Sequence, residues 1–271
     1  MSLQREASGR RSIQMEVEVP GTPEEVWQKI ATGPGICSWF VPTEFREDGT
    51  ILQCFGPGME AVSTLKESRP PHRFVTESPG FGPDAPPVAS EWSMEARSGG
   101  TCTVRLVQSL FASTDEWDHQ LAQDISGWTW FFRVLKLALT HFPGQPSAPF
   151  RVMSMASGPV TAAWNALTKS LGLSQAAMGQ RVEASGGVPA LAGQVTQLQT
   201  EDNGHPYGLQ LLLDQPSPGL LAMFAHTCGD SVLIVLDFYL YGEAAAAVAK
   251  REAPHWQAWI DTQFPTRGTG D

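Results

Sequence analysis

What most constrains this chain is one long apolar helix that follows a run of short strands. In residues 116–142, "EWDHQLAQDISGWTWFFRVLKLALTHF", Leu121, Ile125, Trp128, Phe132, Leu135 and Leu139 recur every three or four positions, which places them on one face of a helix. Ahead of it lie segments of strand character broken by turns: "GTILQCFGPGM", "EAVSTLKES", "HRFVTES", "ASEWSMEA" and "TCTVRLVQSLF", punctuated by Pro70-Pro71 and Gly99-Gly100. "GPGME" reads as a hairpin turn. An antiparallel meander has an apolar face to cover, and this helix is the one element large enough to cover it, so the fold class is α+β.

The chain enters the meander through "IQMEVEV", which alternates with period two and puts Ile13, Met15, Val17 and Val19 on one face. A helix is predicted next. Thr22 suits its N-cap, Pro23 its first turn, Glu24 and Glu25 the positive end of its dipole, and Val26, Trp27 and Ile30 its buried face. Gly33-Pro34-Gly35 is expected to end it.

After Pro143-Gly144-Gln145-Pro146 the same order begins again. "FRVMSMASGPVTAAWNALTKSLGL" repeats strand then helix, with Gly158 and Trp164 spaced as Gly21 and Trp27 are. "AGQVTQLQTE" answers "EAVSTLKES", "DSVLIVLDFYLYG" answers "CTVRLVQSLFAS", and "HWQAWIDTQFP" answers "LKLALTHFP". Two tandem domains of one type are therefore expected, 1–145 and 146–271, the second shorter and without an equivalent of "SWF".

Composition narrows the function. A formal charge of −10 with only 18 basic residues and no Lys/Arg block argues against a nucleic-acid face or attraction to anionic lipid. The four cysteines lie at wide spacing with no CxxC pair, as reduced thiols do, and neither an apolar leader nor a stretch of roughly 20 apolar residues is visible. The expectation is a cytoplasmic protein without membrane insertion.

Three segments, "VPGTPEEVWQKIATGPGICSWF", "GGTCTVRLVQSLF" and "GWTWFFRVLKLALTHF", together resemble the START-like (SRPBCC, polyketide-cyclase-type) superfamily. Within it they are most similar to bacterial homologues of the activator of the ninety-kilodalton heat-shock protein ATPase. Gly21 stands where that branch usually has alanine. The resemblance implies a helix-grip fold in each half, a curved antiparallel sheet wrapped on a long C-terminal helix, with a cavity between them. It also implies that Trp39 and Phe40 belong to a short second helix at one end of that cavity, where they either wall a ligand or pack a core; both are not expected to face inward.

By helical spacing Trp128, Phe131, Phe132 and Leu135 share the face that would roof the cavity, and by alternation Phe55, Val62, Phe74, Trp92, Met94 and Leu106 point in from the sheet. The sequence has no nucleophile elbow, phosphate loop, dinucleotide fingerprint or metal-ligand spacing, and so carries no cofactor or metal motif. Glu44, Arg46, Glu91 and Arg105 read as surface groups; an inward Glu91 or Arg105 would favour a cyclase- or hydrolase-like enzyme. The leading expectation is a binding protein for a small hydrophobic molecule (lipid, polyketide or aromatic), with a protein-interaction module as the alternative.

Overall fold

The computed structural model describes residues 3–56, 58–79, 86–111, 118–184, 187–199 and 207–265, with the side chains of 118–124 and 126 outside that description. The chain divides into two compact units, Met1–Gly144 and Gln145–Asp271.

In the first unit the alternation of "IQMEVEV" becomes β2 (Arg10–Pro20), which begins three residues earlier than the pattern alone suggests. The last strand of the meander pairs with β2 as far as Arg10, opposite Phe111, and a short leading strand, β1 (Leu3–Arg5), pairs with Arg11 to Ile13 on its other side. The capping box at Thr22 then forms as its residue types require: the Glu25 amide donates to Thr22 Oγ1 at 3.3 Å, and the Thr22 amide donates to Glu25 Oε2 at 2.8 Å. It opens α1 (Pro23–Ile30), which buries Val26, Trp27 and Ile30.

Gly33-Pro34-Gly35 does more than end that helix. Thr32 accepts from the Gly35 amide and starts a second helix, α2 (Gly33–Cys37), with proline in its first turn. Strands β3 (Thr43–Phe45), β4 (Thr50–Cys54), β5 (Glu60–Arg69), β6 (Arg73–Ser78), β7 (Val88–Arg97) and β8 (Thr101–Phe111) follow, then α3 (Asp118–His141). The eight-stranded antiparallel sheet runs β1-β2-β8-β7-β6-β5-β4-β3, and α3 lies along β2. The long entering strand β2 beside the last strand β8, with the meander running away from them and the final helix across the sheet, is the helix-grip arrangement.

The second unit follows the same order. Its elements are β9 (Ser147–Ser157), α4 (Val160–Ser170), β10 (Arg181–Glu183), β11 (Ala192–Gln199), β12 (Tyr207–Gln215), β13 (Gly219–Cys228), β14 (Ser231–Tyr241) and α5 (Ala245–Gln263). The sheet runs β10-β11-β12-β13-β14-β9, and α5 lies on β9. Its core joins Val152 on β9, Trp164 and Leu167 on α4, Ile234, Leu236 and Phe238 on β14, and Trp256 and Ile260 on α5.

An edge strand leaves backbone groups unpaired, and the two units meet this differently. In the first, β1 pairs with β2. In the second, the Gln257 side chain of α5 meets the outward backbone of β9, donating to the Met153 carbonyl at 3.0 Å and accepting from its amide at 3.4 Å.

Candidate binding site in the first unit

The register between β7 and β8 sets Trp92 opposite Leu106, Met94 opposite Val104 and Ser90 opposite Gln108, and Phe74 on β6 lies opposite Trp92. Phe74 and Trp92 stack at 5.8 Å and 7°. From the helix side Trp128 meets Trp92 edge-on at 5.3 Å, and Phe132 meets it at 5.9 Å. The third wall comes from the turn after α2: Phe40 stacks on Trp128 at 5.0 Å and 21°, and touches Phe131 at 4.6 Å and Phe55 at 5.9 Å. Such separations are those of attractive ring pairs.

The structure therefore brings most of the anticipated residues to one place. Trp39, Phe40, Phe74, Trp92, Met94, Leu106, Phe131, Phe132 and Leu135 are buried, and Phe55 and Trp128 are partly exposed at the rim. Trp39 and Phe40 are both buried, against the expectation that one would turn out. They follow α2 in a helical turn, their amides bonded to the Ile36 carbonyl, so strand alternation does not govern them. Trp39 also donates its indole N–H to the Lys29 carbonyl at 2.8 Å.

Val62 is corrected. It is 45% exposed, on the outer face of β5. Pairing of Ser63 with buried Ile51 on β4 fixes the phase, so Ala61, Ser63 and Leu65 take the inner face and Val62 the outer one.

Two polar residues, Gln108 and Ser90, also belong to the cluster, and apolar periodicity does not mark them. Gln108 is 9% exposed, accepts from Trp128 Nε1 at 2.8 Å and donates to Ser90 Oγ at 3.2 Å. The signal was present: Cys102, Val104, Leu106 and Leu110 define the inner phase of β8, and Gln108 is the polar residue in that phase.

The polar candidates lie elsewhere. Arg105 pairs with Glu16 at 2.7 Å, Glu91 with Arg73 at 2.9 Å and Arg46 with Glu44 at 3.3 Å, all with partly exposed side chains. Behind the cluster, the Lys29 amine donates to Ser38 Oγ at 3.1 Å, and burial pushes its pKa below the ordinary lysine value. Burial likewise raises the Cys102 thiol, and all four cysteines are free. Among the described residues no helix is long and apolar enough to cross a membrane.

The second unit has an open groove of about 480 Å³ beside the end of β9, lined by Met155, Ala162, Ala166, Ser231, Gln263 and Phe264. Phe264 is the one aromatic residue among those lining it, unlike the aromatic cluster of the first unit.

No family model and no curated protein matches the chain. Solved structures similar to it include CalU16 from Micromonospora echinospora, 19% identical over 51% of this chain and 83% of that one, with a TM-score of 0.40. DynU16, from the dynemicin biosynthetic locus, is 15% identical over 92% and 94%, with a TM-score of 0.42. The Aha1 dimer from Colwellia psychrerythraea is 20% identical over 49% and 98%, with a TM-score of 0.39. The helix-grip assignment rests on the chain's own strand order and on the helix lying across each sheet.

Proposed function

We propose that the first unit binds a small, mostly apolar molecule between its sheet and α3, at the rings around Trp92 and Trp128, and that the second unit is a divergent copy of the same domain type. The observation that carries this reading is a buried amide inside an aromatic cluster. Gln108 and Ser90 place hydrogen-bonding groups among rings from three elements, where an apolar pair would pack at less cost. A cluster of flat apolar walls with a few placed polar groups is how small-molecule sites are commonly built. Phe55 and Trp128, partly exposed, give the cluster a rim open to solvent.

Native mass spectrometry of the purified protein, followed by denaturing extraction, tests the reading directly. A recovered apolar compound supports it and gives the chemical class. A ligand that binds only the native state also raises the melting temperature. A broad panel of lipids and aromatic compounds that moves it nowhere, together with an empty protein, would overturn the proposal.

A further inference from the structure

We infer that Trp128 holds the place of the ligand, and that the site selects flat aromatic molecules carrying an O–H or N–H donor. This rests on the binding reading above and narrows it. Three observations meet at this residue. Trp128 is partly exposed, whereas Phe131 and Phe132 beside it on α3 are 9% and 3% exposed. Its indole already lies in ring-contact geometry, stacked on Phe40 and edge-on to Trp92. Its N–H meets the cluster's buried acceptor, Gln108 Oε1.

That acceptor is fixed in direction. Gln108 Nε2 donates to Ser90, the residue directly opposite on β7, so the amide oxygen is turned toward α3. Whenever Trp128 moves out, the side-chain carbonyl oxygen of Gln108, a buried residue, loses its donor. A ring that carries its own donor restores the bond; a ring without one leaves the oxygen unpaired, which costs roughly tenfold to a hundredfold in affinity. Gly127, beside Trp128 within α3, lowers local helix stability relative to alanine and eases the displacement.

The test is isothermal calorimetry on the full chain with 2-naphthol, 2-methoxynaphthalene and naphthalene. The expected result is that 2-naphthol binds on the order of tenfold tighter than either molecule lacking a donor. Gln108→Leu should abolish that preference. Trp128→Phe keeps a ring but removes the bond that every ligand must break, and should tighten 2-naphthol and 2-methoxynaphthalene alike, several-fold, with the preference between them retained. Equal affinity for all three molecules in the native protein overturns the donor requirement and leaves the binding reading standing. A preference that survives Gln108→Leu overturns the role of Gln108. Failure of all three to bind both the native protein and Trp128→Phe overturns the inference and counts against an apolar site here as well.

Discussion

Lys29 carries its amine beneath the turn that delivers Trp39 and Phe40, and burial holds its pKa below the ordinary 10.5. The native state therefore holds fewer protons than the unfolded chain between that lowered value and the ordinary one, and stability rises with pH across the interval. The stability of the native protein minus that of Lys29→Met should be flat at lower pH and climb as the ordinary lysine value is approached, as urea unfolding at a series of pH values would show. A difference independent of pH would refute the assignment. On the other unit Arg151 and Asp237, opposed on β9 and β14, form a two-point pair at 2.5 and 2.9 Å with side chains 11% and 3% exposed. Burial raises the Asp237 carboxyl while Arg151 pulls it down. Asp237→Ala strands a buried guanidinium and should cost about 3–5 kcal/mol, whereas Arg151→Met with Asp237→Leu should lie within about 2 kcal/mol of the native protein. Denaturant melts of both variants separate these outcomes; equal losses would mean that packing, not charge, governs the position.

At the scale of elements, α1 and α2 meet through a glycine. A Cβ on Gly35 would fall 1.8 Å from the Gln28 carbonyl oxygen and 2.6 Å from Thr32 Oγ1. Backbone cannot yield as a flexible side chain does, so Gly35→Ala should destabilise the unit by about 3 kcal/mol or more. Because α2 sets Trp39 and Phe40, the same variant should change near-ultraviolet circular dichroism; unaltered stability and spectrum would show that α2 does not fix these rings. In sequence Gly33-Pro34-Gly35 is a helix stop, because glycine and proline usually punctuate. Their second use, starting a helix closely packed on α1, depends on a contact seven residues back that no local pattern displays. The alternation on β5 is ambiguous for a related reason: Val62 is apolar in one phase and Ala61 and Leu65 in the other, and the partner strand decides which phase faces inward.

Across the whole chain the charge of −10 disfavours polyanionic partners. Duplex DNA at about 0.15 M salt should show no shifted band in an electrophoretic mobility assay at micromolar protein, since affinity for phosphate backbones depends on clustered cations. A discrete shifted band would mean that local basic surface outweighs net charge. The order strand, helix, meander, long helix appears in both units, and apart from β1 the sheets run alike, from the strand before the first helix to the last strand and then back through the meander. The shorter second sheet differs at the edge, where a glutamine from α5 does what β1 does in the first unit.

The sequence by itself determined most element types, the α+β class, the face of α3 and most of the aromatic residues that gather beneath it, because period and turn chemistry are local properties. Only the tertiary structure decided the phase of β5, the joint burial of Trp39 and Phe40, and the hydrogen bond from Trp128 to Gln108. The first and third depend on strand register or on the approach of residues distant in sequence, Ile51 to Ser63 and Ser90 to Gln108 to Trp128 across two strands and a helix, and the second on the close packing of Gly35 in α2 against Gln28 in α1. Pattern reports what each residue prefers; register decides which of them meet.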